Sequence, residues 1–170
     1  TARLIADKIS KGCDGAADRF SKILTLMKSV GLTDRTALEM ALQFAAQTPD
    51  VQKNFLAVFT HAYLNEFFDY EYPRAAQLAY ELSKDYQGDP VQLRKDFLAL
   101  VQFCKGSKQL DLPNNLCSEV AVKVARLSAY FPQGVRGPFL KLFNDLRQKP
   151  EFNLDIKTAL DIAYNVLKNG

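Results

Sequence analysis

The sequence is poor in the residues on which most catalysis is built. It has one histidine, His61, and three scattered cysteines, Cys13, Cys104 and Cys117. That set lacks the close spacing of a metal site, so no metal is expected. A general base needs a positioned partner, and no Ser-His-Asp arrangement can be named around His61. There is no glycine-rich phosphate loop: the chain has only eight glycines, and Gly134-Val135-Arg136-Gly137 is too short for a nucleotide cradle. Tryptophan is absent, which excludes repeats built on a Trp-x-x-Leu-Gly signature. No apolar run is long enough to span a bilayer, and no clear signal peptide is present. The net charge is only +3, well short of the marked Lys/Arg stripe expected of a dedicated nucleic-acid binder. The chain begins at Thr1 and not at methionine, which reads as a processed form or a piece of something longer. No cofactor is implied, and the expectation is a non-enzymatic, intracellular protein.

What is present is a repeat. Phe55, Phe97 and Phe139 lie 42 residues apart, and each opens an apolar block. The blocks are Phe55-Leu56-Ala57-Val58-Phe59, Phe97-Leu98-Ala99-Leu100-Val101 and Phe139-Leu140-Lys141-Leu142-Phe143. A second block recurs at the same offset, at Leu78-Ala79-Tyr80-Glu81-Leu82, Val120-Ala121-Val122-Lys123-Val124 and Ile162-Ala163-Tyr164-Asn165-Val166. An earlier, divergent copy carries Phe20, Ile23 and Leu24, then Met40 to Phe44. Its spacing is shorter because the turn through Gly31 and Thr33 is brief. A period of this length means one two-helix unit used several times, each copy burying its neighbour's face.

Both blocks are helical by pattern. Phe97, Leu98, Leu100, Val101 and Cys104 fall at i, i+1, i+3, i+4 and i+7, a broad helical stripe. Pro49, Pro90 and Pro132 precede the phenylalanines and suit a first helical turn, with Thr48 and Asp89 as N-caps. Pro138 departs from this and places the start of the last copy's first helix later. Asp34, Asn114 or Asn115, and Asp155 announce second helices, and Pro73 fits an early turn. Lys28, Lys84, Arg126 and Lys168 sit near helix C-termini, where cations favour the dipole.

The expectation is an all-α fold: an α-α superhelix of about four two-helix copies, with eight to nine helices in one domain. Residues 1–17 would form an N-terminal cap helix with Leu4, Ile5 and Ile9 on one face, and the copies would span 18–54, 55–96, 97–138 and 139–170. In period and pattern, residues 18–170 resemble HEAT and armadillo repeats, whose units run to about 40–47 residues. The resemblance implies a solenoid; a closed helical bundle is the competing arrangement.

Repeats also allow columns of equivalent positions to be compared. Cys104 shares a column with Ala62 and Leu146, and Cys117 with Ala75 and Ala159, so both cysteines are expected inside and near each other. They read as buried reduced thiols or, alternatively, as a disulfide, which would imply an oxidising compartment. The column of His61 holds Phe103 and Asp145, a boundary position and not one shaped for chemistry. Polar residues vary in two outward columns of the second helices: Gln43, Glu81, Lys123 and Asn165, and Ala46, Lys84, Arg126 and Lys168. In solenoids this side usually lines the concave surface; the bland alternative is an ordinary solvated face. The segment Asn65 to Pro73 packs Phe67, Phe68, Tyr70 and Tyr72 among Glu66, Asp69 and Glu71. It is read as a hairpin closure or, with Phe68 and Tyr70 outward, as a contact surface. The second copy is net acidic and the third net basic, which could orient a charged partner.

The function that follows is a protein- or peptide-binding scaffold, with Glu81, Lys84, Lys123, Arg126, Asn165, Lys168, Phe68 and Tyr70 as candidate contacts. An RNA-binding helical repeat is the alternative, supported by the basic column and opposed by the modest charge.

Overall fold

The computed structural model describes residues 15–29, 31–45, 54–55, 58–59, 68, 70–106, 110 and 112–170. All regular structure among them is helical. The helices are α1 (Ala16–Ser29), α2 (Asp34–Ala45), α3 (Tyr72–Ser83), α4 (Pro90–Gly106), α5 (Asn114–Ala125), α6 (Arg136–Gln148) and α7 (Ile156–Asn169), with a short 3-10 helix at Arg126–Tyr130. That is seven α-helices among the described residues, where the repeat predicts eight or nine. The expected first helix of the second copy is represented by Asn54, Phe55, Val58 and Phe59, all helical. The expected cap helix before Gly15 lies outside the described residues, as do Cys13, Ala46, Thr48, Pro49, His61, Glu66, Phe67 and Asp69.

The chain forms two compact units, Thr1–Tyr86 and Gln87–Gly170, whose boundary falls in the turn between α3 and α4. The copies, counted from their phenylalanines, have boundaries at 97 and 139, inside α4 and α6.

In the first unit α1 ends on Gly31 at φ 88°. The Gly31 amide donates to Lys28 O at 3.1 Å and the Leu32 amide to Met27 O at 3.1 Å. This paired closure satisfies the last carbonyls of α1 and needs a left-handed residue, which glycine supplies without steric cost. Helix α2 then starts from Thr33, whose Oγ1 accepts from the Thr36 amide at 3.3 Å. The cap is therefore Thr33, one residue before the expected Asp34, because Asp34 is already inside the first turn. The core of this unit is aromatic: Phe44 packs 4.6 Å from Phe55 between ring centroids, and Phe55 stacks on Phe59 at 6.2 Å. Ile23, Met27, Met40, Leu78 and Leu82 are buried with them.

In the second unit α4 opens at Pro90, and Asp89 caps it by accepting from the Val91 amide at 2.9 Å. Leu93, Phe97, Leu100, Val101 and Cys104 form its buried stripe against Cys117, Val120, Ala121 and Val124 of α5. Helix α5 begins at Asn114 behind Pro113, with no side-chain cap, so neither Asn114 nor Asn115 has the capping role expected of them. Helix α6 begins at Arg136, with Pro138 in its first turn and Pro132 in the preceding turn, as the displaced proline suggests. Helix α7 is capped by Asp155, whose carboxylate accepts from the Thr158 amide at 2.7 Å. Phe139, Phe143, Ala159, Leu160 and Ala163 complete the core.

One buried charge organises this unit. Asp96 is 4% exposed, on the apolar side of α4. Its carboxylate accepts from Ser128 Oγ at 2.6 Å, from the Val135 amide at 2.8 Å and from Gln92 Nε2 at 3.1 Å. A buried carboxylate is costly unless hydrogen-bonded, and these three donors meet that need. They also tie α4 to the 3-10 helix and to the start of α6.

Candidate interaction face on the second helices

Helices α3, α5 and α7 carry the outward columns. Each begins with the same backbone bond: the amides of Ala75, Cys117 and Ala159 donate to Glu71 O, Pro113 O and Asp155 O at 3.0, 2.9 and 3.0 Å. The residues that follow on the buried side are small, since Ala75, Ala79, Cys117, Ala121, Ala159 and Ala163 are all fully buried. The candidate contacts project from other faces of the same helices.

In the first unit Glu81 is exposed on α3. It accepts from Gln77 Nε2 at 3.2 Å and lies 3.9 Å from Arg74 Nη1. Lys84 is the C-cap of α3, and its ammonium stands 5.7 Å from the Tyr80 ring centroid. The Tyr80 ring meets Phe44 edge-on at 5.6 Å. Its phenol is held above its ordinary pKa, first by burial and then by the charges of Asp85 and Glu39. Gln43 donates to Asp85 Oδ1 at 2.7 Å. Phe68, expected on a contact surface, is instead 1% exposed. It stacks on Tyr70 at 5.0 Å, and the Arg74 guanidinium lies 5.5 Å from the centroid of the Tyr70 ring. Burying a phenylalanine is the favoured outcome for so large an apolar group, and half-buried Tyr70 is what reaches the surface.

In the second unit the structure brings Lys123 and Lys168 together on Tyr164. The Lys123 ammonium is 4.8 Å from the ring centroid and the Lys168 ammonium 5.8 Å. Cations are attracted to the electron-rich ring face. Lys123 also pairs with Asp161 at 3.2 Å and is half-buried, whereas Lys168 is exposed. Arg126 is the C-cap of α5 and is half-buried; Asn165 is exposed. Tyr164 and Asp161 are absent from the sequence-based set. The signal for them is helical spacing, since Asp161, Tyr164 and Lys168 fall at i, i+3 and i+7.

Cys104 and Cys117 are both buried free thiols, so the candidate disulfide is present as two separate sulfhydryls. The Cys117 thiol makes a hydrogen bond with Cys104, and its sulfur lies 3.9 Å from Val101 O. That hydrogen bond first, and burial second, push the Cys117 thiol far above its ordinary pKa; the charge of Cys104 adds to this and that of Lys105 opposes it. Among the described residues no group of three His, Cys, Asp or Glu side chains is placed to hold a metal ion. No described helix is long and apolar enough to cross a membrane. No family model matches the chain, and comparison with curated proteins and with solved structures finds no significant match.

Proposed function

We propose that this chain is a non-enzymatic helical-repeat scaffold that binds a protein or peptide along the outward columns of its second helices. The observation that carries the reading is burial that recurs at the repeat offset. Phe55, Phe97 and Phe139 are fully buried, as are the paired small residues of α3, α5 and α7. At the outward positions Glu81, Asn165 and Lys168 are exposed, Lys123 and Arg126 are half-buried, and the side chains differ in kind. Constant buried positions with varied outward ones suit a stack whose surface is free to specialise. The arrangement is compatible with a HEAT- or armadillo-like solenoid.

The test reverses charge at two of the outward basic positions. Arg126→Glu and Lys168→Glu spare Lys123, whose reversal would set a second carboxylate beside Asp161. Affinity capture from the source lysate, with and without nuclease, should retain proteins that survive nuclease and are lost from the double variant. Unchanged capture by a variant with wild-type helicity rejects this face. RNA retained by the wild type, with proteins lost after nuclease, would favour the RNA-binding reading.

A further inference from the structure

The second unit contains a cavity of about 510 Å³ lined by α4 and by the turn leading into α6. This volume lies within the range of small-molecule sites, about 300–1,000 Å³. The base of the cavity is built from constrained parts. Asp96, nearly fully buried, lines it with its carboxylate already accepting from Gln92, Ser128 and Val135. Gly134 lies beside it at φ 94°. A Cβ at this position would stand 2.6 Å from Gln92 Nε2 and 3.0 Å from Asp96 Oδ1. Only glycine permits both the backbone conformation and the close approach of the Gln92 amide.

Two cations complete the lining, Lys95 from α4 and Arg136 from the first turn of α6, with the Gln133 amide beside them. Neither cation has a hydrogen bond or ion pair among the described residues. With two cations and one carboxylate the lining has a net charge of +1, and because the carboxylate is engaged by three donors, its unengaged charged groups are cationic. Guanidinium presents a planar fork that matches carboxylate and phosphate oxygens, and ammonium adds a compact point charge.

We propose that this cavity binds a small oxyanion, a phosphate or carboxylate group, between Lys95 and Arg136. Asp96, Gln92 and Gly134 act as the platform that fixes the walls, and Lys95 and Arg136 make the contacts. None of its lining residues belongs to the outward columns of the second helices, and the site does not depend on the scaffold reading.

The test is titration of the isotopically labelled full chain with glycerol 3-phosphate and, separately, with malate, at constant ionic strength, followed by amide NMR. Saturable shifts at Gln92, Gly134, Arg136 and Gly137 are expected with one or both. A response to only the first assigns phosphate, and to only the second carboxylate. Lys95→Ala with Arg136→Ala should weaken binding by about tenfold or more, since hydrogen bonds to charged groups are being removed. Both side chains are exposed, so the double variant should keep its fold, checked by circular dichroism. Shifts that grow linearly without saturation, that sodium chloride reproduces, or that persist in the folded double variant would overturn the assignment.

Discussion

A thiol that keeps its proton in the folded state makes stability depend on pH. Cys117 is such a group, its pKa held up by the hydrogen bond with Cys104 and by burial. Its pKa is raised on folding, so above about pH 9 the unfolded chain releases a proton that the folded chain retains. Stability from this group is complete below that pH and falls as pH rises, with a limiting slope of about 1.4 kcal/mol per unit for one proton. Chemical denaturation between pH 7 and 10 should show this decline in the wild type. Cys117→Ala, less stable at pH 7, should lose that part of the slope. Equal slopes in both proteins would mean that Cys117 does not titrate differently on unfolding. The interior position of both cysteines was legible from their repeat columns, where alanine and leucine are the equivalents. Phe68 was not legible in the same way. Its acidic neighbours suggest a surface, and no periodic stripe marks which of four aromatics turns inward. Asp96 was hidden for the converse reason: a charge within an apolar stripe looks like an interruption until its donors, 32 and 39 residues away, are known.

The helices themselves follow from period and punctuation. Of the stripe Phe97, Leu98, Leu100, Val101 and Cys104, all but Leu98 are fully buried. Starts are less uniform. Asp155 and Asp89 cap as their chemistry suggests, Thr33 displaces Asp34, and α5 begins behind Pro113 without a side-chain acceptor. The 3-10 helix that follows α5 holds Ser128, whose hydroxyl donates to Ala125 O in the preceding turn and to Asp96 across 32 residues. Asp155 gives the sharpest test at this scale. Its carboxyl is held below the ordinary aspartate range, chiefly by its hydrogen bonds with Thr158. Its stabilising effect is therefore present above the unfolded pKa and lost as pH falls through the lowered folded value. Asp155→Ala should lower the melting temperature at pH 7 and increase amide exchange in the first turn of α7. Asp155→Asn, which keeps an acceptor, should retain most of the protection while losing its acid dependence. Protection of α7 unchanged by Asp155→Ala would exclude a capping role.

At the scale of the whole chain the two compact units are the organising fact. The second has its own core around Phe97, Val101, Val120, Phe139 and Leu160, its own capped helices and its own buried carboxylate. Residues 87–170 expressed alone should therefore be helical by circular dichroism and unfold in one cooperative transition. A broad, non-cooperative melt would show that the core needs residues 1–86. Within this unit the carboxylate of Asp96 has a consequence in time as well as in structure. A helical bond closes over four residues, but its bonds to Ser128 and Val135 close over 32 and 39. Contacts so distant in sequence bear a larger loop-closure cost and are slow to form. Pulse-labelled hydrogen exchange during refolding should therefore show the Val135 amide protected later than the amides within α4 and α5.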